Sequence, residues 1–233
     1  MTHPLATWFL WFMLYSFIGW VYESILCSVA GRKLVNRGFL NGPVCPIYGV
    51  GAVAVVYALS PLAGRPALLF FASAFLTTAL EYCTSWLMEV LFHARWWDYS
   101  QRFLNIRGRV CLRGFVAFGA MSVLVVRYVQ PWMASLTARL SPRAAGLLAA
   151  ALALLLAADL TATLITVLGL DKRLRAAREL IEQRLEERIP RLRGLHAMQM
   201  KRLADAFPGL DFTRYHKEWQ LLRERLRHRP KKM

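Results

Sequence analysis

Residues 144–170 read AAGLLAAALALLLAADLTATLITVLGL, an unbroken apolar run whose one charge is Asp159. A helix rises about 1.5 Å per residue and the bilayer's hydrocarbon core is about 30 Å thick, so about 20 residues of this kind cross it. Four further runs, 6–29, 44–62, 66–92 and 112–133, carry the same signature. The second is the shortest, and Pro46 and Gly49 interrupt its start. The reading is an all-α integral membrane protein with about five transmembrane helices. The first run is taken as a span rather than a cleaved leader, because Met1-Thr2-His3-Pro4 lacks a basic stretch and the apolar run is too long.

Apolar residues make up 57% of the chain and charged residues 19%, where a soluble domain carries about 25% charged. The charges are uneven. Residues 1–170 hold 12 Lys/Arg and 5 Asp/Glu, whereas residues 171–233 hold 18 and 9. A transmembrane domain, 1–170, is thus followed by a basic helical cytoplasmic tail, 171–233. The net charge of +16 does not point to nucleic acid. The body's cations sit in short loops, where they set topology, and the tail mixes both signs. Cys27, Cys45, Cys83 and Cys111 show neither CxxC spacing nor histidine partners. They read as small buried hydrophobes, and neither a metal nor a cofactor is expected.

Orientation follows from the loops. Loop 30–43 carries Arg32, Lys33 and Arg37; loop 93–111 carries Arg95, Arg102, Arg107 and Arg109. The intervening connections hold Arg65, and Arg139 with Arg143. The positive-inside rule then gives an N-terminus outside and a C-terminus in the cytoplasm. In the tail, Leu174, Ala177, Ile181, Leu185, Ile189 and Leu192 keep helical spacing, with a kink or break expected at Pro190. A second helix is expected over 211–228, with Phe212, Tyr215, Trp219, Leu222 and Leu226 on one face. Such a helix suits an anionic lipid surface, a partner, or the protein's own membrane domain.

The first four helices read as two repeated helix–loop–helix units, 6–62 and 72–133. Trp20-x-x-Glu23 matches Trp86-x-x-Glu89 at an offset of 66, and Gly42-Pro43-Val44-Cys45 matches Gly108-Arg109-Val110-Cys111 at the same offset. Between them, Phe39-Leu40-Asn41 nearly aligns with Phe103-Leu104-Asn105. Two spans per unit preserve orientation, which relates the copies by a pseudo-twofold along the membrane normal.

Charges inside a span cost about 2.5–3.5 kcal/mol each on insertion scales and therefore face a bundle interior. Glu23, Glu81, Glu89, Arg127 and Asp159 lie within predicted helices, and Glu81, Ser85 and Glu89 form one stripe spaced by four. The expected site is a cytoplasm-facing chamber holding Glu23, Glu81 and Glu89 with Arg37 and Arg109 at its mouth. Asn41, Asn105, Tyr48 and Asp98 complete it. Each of Glu23 and Glu89 has a plainer role open to it, that of pinning a loop arginine. Asp159, with Thr161, Thr163 and Thr166, is suited to bonding neighbouring helices. Gly42-Pro43-x-x-Pro46-Ile47-Tyr48-Gly49-x-Gly51 disfavours continuous helix at membrane depth, where irregular backbone survives only when buried or lining a cavity.

Four stretches carry a resemblance: Gly19-Trp20-x-x-Glu23; Arg37-Gly38-Phe39-Leu40-x-Gly42-Pro43-x-x-Pro46-Ile47-Tyr48-Gly49; Trp96-x-Asp98-Tyr99-Ser100; and Asn105-x-x-Gly108-Arg109-x-Cys111-Leu112. Over residues 5–133 the chain resembles the bacterial family labelled putative ABC-transporter type IV membrane proteins. Phe118 departs from it, standing where tryptophan is expected. The label implies a permease-like role and carries over no substrate. No G-x-x-x-x-G-K-[ST] occurs, so an ATPase would be a separate subunit.

Three functions are open at this point. The first is a membrane transport component for a small polar solute. The second is a membrane-embedded enzyme acting on a lipid or isoprenoid headgroup, with a glutamate as acid/base and arginines clamping phosphate. No nucleophile or metal cluster demands that reading, and a non-enzyme is favoured. The third is a scaffold or regulator acting through the tail. Topology is directly testable. Reporter fusions after residues 40, 64, 105, 138 and 200 are expected to read inside, outside, inside, outside and inside; a cytoplasmic signal at 64 contradicts five spans.

Overall fold

Within a bilayer every backbone amide must find its partner inside the protein, and a helix does so within a single segment. The computed structural model describes residues 4–32, 35–182, 202–207, 210–212, 219–220 and 223–224, and its architecture is all-α. Helix α1 runs Leu5–Gly31, α2 Pro46–Leu59, α3 Pro66–Phe92, α4 Leu112–Leu124, α5 Gln130–Ala138 and α6 Pro142–Glu182. Among the described residues, four stretches are long and apolar enough to cross a membrane: Leu5–Val29, Pro66–Phe92, Leu112–Ala138 and Pro142–Gly169. Proline at the first position opens α2, α3 and α6, where its missing amide has no helical partner to lose.

The run at 44–62 is the exception. Helix α2 closes in a 3₁₀ turn, Ser60–Leu62, and is shorter than a full span. The reason lies at its start, where the chain descends into the bundle before becoming helical. The Cys45 amide donates to the Ser16 carbonyl at 2.9 Å, and Ser16 lies about 22 Å along α1 from its end at Gly31. The irregular backbone expected around Gly42–Gly51 therefore ends at Cys45, and Gly49 and Gly51 are helical.

Helices α4 and α5 form one span joined by a wider π turn, Val125–Val129. Pro131 supplies a cause, since it has no amide to return to the Arg127 carbonyl. The contacts fix an alternating up-and-down order. Tyr48 packs on Gly19 and Tyr57 on Trp8, so α2 runs antiparallel to α1. Gly119 packs on Phe70 and Ala74, and Phe115 on Phe75, so α4 runs antiparallel to α3. The Trp11 indole donates to Thr137 at 3.0 Å, and Leu10 packs on Ala145 and Ala149. Loops 32–45 and 93–111 and the start of the tail consequently share one end of the bundle.

At that end the tail returns to the body. Strand β1, Ala94–Arg95, pairs antiparallel with β2, Asp211–Phe212. Leu203, Ala206, Phe207, Leu210 and Trp219 bury themselves against Ala94, Trp96 and Val167. The Trp219 indole donates to the Leu210 carbonyl at 2.7 Å. The expected helix over 211–228 is corrected at its start, because residues 211–212 extend a strand that satisfies the exposed backbone of β1. Tyr215, Leu222 and Leu226 lie outside the described residues, as does Pro190.

Close helix packing makes a sharp prediction. A side chain at Gly49 would overlap Ser16 and Phe12, whereas Gly51 has nothing within 4 Å. Gly49→Val is expected to cost about 1–3 kcal/mol in detergent unfolding, while Gly51→Ala should be neutral or slightly stabilising. Equal effects at the two sites would contradict the packing.

Candidate functional site

The loop preceding α2 supplies the first part of the site. Asp159, in the middle of α6, accepts hydrogen bonds from the Asn41 amide at 3.0 Å, the Asn41 side chain at 2.9 Å and the Gly42 amide at 2.8 Å. The Asn41 side chain also reaches Thr163 at 3.1 Å. From outside, Arg202 of the tail donates to the carbonyls of Gly38, Phe39 and Leu40 at 2.9, 3.0 and 2.6 Å. Held from both sides, the loop brings Arg37 to 3.5 Å from the Glu23 carboxylate. The other Glu23 oxygen accepts from the Tyr48 hydroxyl at 2.5 Å. The Arg37 guanidinium also lies over the Phe207 ring, 4.3 Å from its centroid.

Loop 93–111 is built by its own polar residues. Asp98 accepts from the Ser100 hydroxyl at 2.5 Å and the Ser100 amide at 2.9 Å, and these bonds hold its carboxyl below the usual range. Asn105 donates to the carbonyls of Ser100 and Arg102, and its oxygen accepts the Gly108 amide at 3.0 Å. Gly108 adopts φ 69°, and Asp98 and Ser100 fill the space where a Cβ would stand. The folded loop presents Arg109 to Glu89 at 2.8 Å, and Arg95 meets the same carboxylate at 3.3 Å. It also sends the Tyr99 hydroxyl to Glu81 at 3.3 Å. Burial, then the neighbouring carboxylate charge, pushes the Tyr99 phenol up, so it remains a donor.

Between the two hairpins lies a cavity of about 190 Å³. Glu23, Arg37 and Glu81 are the charged groups among its lining residues, and Tyr48, Tyr99, Thr77 and Ser122 add hydroxyls. Trp97, Phe118 and Phe207 contribute aromatic side chains, and the π turn contributes Val125. Glu81 is 6% exposed, and among the described residues its Oε2 has no hydrogen-bond partner.

The expected constellation thus divides. Glu23, Glu81, Arg37 and Tyr48 share the cavity, whereas Glu89 and Arg109 pair with each other outside its lining. Asn41 secures its loop to α6, and Asn105 and Asp98 shape theirs. Sequence reasoning did not anticipate Tyr99, Arg202 or Phe207. It placed Asp159 against a neighbouring helix, when its partner is a loop. An asparagine and a glycine amide facing an intramembrane carboxylate leave no periodic signature.

These features define the class, an all-α integral membrane protein with a partly polar cavity inside its helix bundle. The chain belongs to the family described as Putative ABC-transporter type IV, which matches residues 10–164. The match takes in Asp159 and Thr163 and stops short of the tail. No curated protein and no solved structure matches the chain.

Proposed function

We propose that this chain is the membrane component of a transporter, that it handles a small polar solute, and that the cavity between its hairpins holds that solute. The observation that carries the reading is Glu81. A carboxylate at membrane depth is costly unless it is paired or functional, and this one faces the cavity with one oxygen unpartnered among the described residues. The cavity is smaller than the about 300–1,000 Å³ of a drug-sized pocket, which favours a small solute.

Glu23 and Arg37 form the polar floor beneath the re-entrant loop. Glu89 and Arg109 act as a structural clamp that fixes the second loop. The matched glutamates each take an arginine from the following loop, which supports the reading of the two hairpins as copies of one unit. The basic loops support a reading in which this end of the bundle faces the cytoplasm of a bacterial cell, with the N-terminus outside. A separate ATP-hydrolysing subunit would dock there, as the family description suggests. Phe207 lines the cavity at the same end, so solute exchange with the cytoplasm involves the docked tail.

The test is a deletion strain of the source organism complemented with wild-type, Glu81→Gln or Glu89→Gln protein. Small polar solutes are profiled in cells and medium. Wild-type protein should restore at least one pool. Glu81→Gln, inserted at wild-type level, should reduce that restoration by about tenfold or more, the scale of losing a charged contact. Glu89→Gln should restore the pool in proportion to the protein that survives folding. No altered pool on deletion, or full restoration by Glu81→Gln, contradicts the proposal.

A further inference from the structure

We infer that the cavity is a site for a small organic cation, an alkylammonium or related onium group. The inference rests on the cavity being a solute site and narrows the chemistry it accepts. Charge comes first. Glu23 and Arg37 lie 3.5 Å apart and cancel, which leaves the Glu81 carboxylate as the uncompensated charge among the lining residues. Glu81 is nine-tenths buried, and Tyr99 occupies only Oε1, leaving Oε2 without a partner among the described residues. A ligand that enters beside it is favoured if it brings positive charge.

The walls decide what kind of cation fits. Tyr22, Tyr48, Trp97, Tyr99, Phe118 and Phe207 contribute aromatic rings. Tyr22, Tyr48 and Phe118 form a continuous wall, with successive centroids 6.2 and 6.1 Å apart in edge-on arrangement. Ring faces attract cations through their quadrupole, and aromatic cages of this composition suit alkylated ammonium groups. The protein already uses this attraction on its own side chain, because the Arg37 guanidinium lies over Phe207 in the cavity wall. A bare metal ion is poorly served by such a lining. It needs several oxygen or nitrogen ligands to replace its hydration shell, and no cluster of three His, Cys, Asp or Glu residues occurs among the described residues. An alkylammonium ion has a weak shell and apolar substituents that match the rings.

Three small probes that share a trimethyl-substituted centre separate the alternatives: tetramethylammonium, neutral tert-butanol and anionic pivalate. Binding of each is measured by calorimetry on the full-length protein in lipid nanodiscs. Tetramethylammonium should bind, and the other two should bind at least about tenfold more weakly. Glu81→Gln should weaken the cation about thirtyfold or more, as losing one partner of a buried charge pair does. Phe118→Leu, which keeps the charge and removes one ring, should weaken it several-fold while leaving tert-butanol unchanged. That second variant keeps the test informative if Glu81→Gln fails to fold. Equal binding of the three probes, no binding of tetramethylammonium, or undiminished cation binding in either variant overturns the inference. The transport reading fails separately. Cation binding without any altered solute pool refutes transport and leaves the site, whereas a neutral or anionic pool that depends on the protein refutes the cation and leaves transport.

Discussion

A carboxylate in the middle of a membrane helix is tolerated only where donors meet it, and Asp159 meets its donors in the backbone of a loop. Two amides and one side-chain amide from Asn41 and Gly42 converge on it. That interaction holds irregular chain at membrane depth, and its consequences spread outward. It sets the depth at which α2 begins, which accounts for the brevity of that helix. It seats Tyr48 against Gly19 and Glu23, and it leaves Arg37 within reach of Glu23. It also presents the carbonyls of residues 38–40 to Arg202, which ties the tail to the membrane domain. The cavity's floor is in this sense a product of the loop's anchorage to α6.

The two hairpins use the same device to different ends. In each, a glutamate near the end of the first helix pairs with an arginine of the following loop. In the second, Glu89 is shared between Arg95 and Arg109 and sits outside the cavity. In the first, the pair lines the cavity and stands opposite a third carboxylate, Glu81. Desolvation cost decides the difference in role. Paired charges offset one another's burial, whereas among the described residues Glu81 has only the Tyr99 phenol as a partner, which is why we propose it as the solute contact.

Much of the fold was legible in the sequence, because hydrocarbon imposes length and apolarity on every spanning helix. Residues 66–92 fold as α3 with the boundaries their composition suggests, and the run at 144–170 forms the membrane portion of α6. The short α2 was foreshadowed by Pro46, but its depth was not, since that depends on tertiary hydrogen bonds of the preceding loop to Asp159 and of Cys45 to Ser16. Spacing by four placed Glu81 and Glu89 on one stripe, yet eight residues of helix separate them by about 12 Å along the axis. One therefore reaches the cavity and the other the loop. Asn105 and Asp98 were expected in the chamber, and instead they turn the backbone around Gly108. The tail's docking through Arg202, Phe207 and Trp219 depends on tertiary contact alone, and no local pattern records it.

The most direct measurement concerns Asp159. In a variant whose lone cysteine is Cys45, Asp159→Ala should leave the Asn41 and Gly42 backbone amides without an acceptor and the Asn41 side chain with Thr163 alone. Hydrogen bonds to charged groups contribute about 1.5–3 kcal/mol each, and partial rescue by water reduces the total. The melting point in nanodiscs should fall by several degrees, together with clearly faster maleimide labelling of Cys45 as the loop lifts away from Ser16. An unchanged melting point with unchanged Cys45 labelling would show that the loop is held in place by something other than Asp159, and would contradict the account.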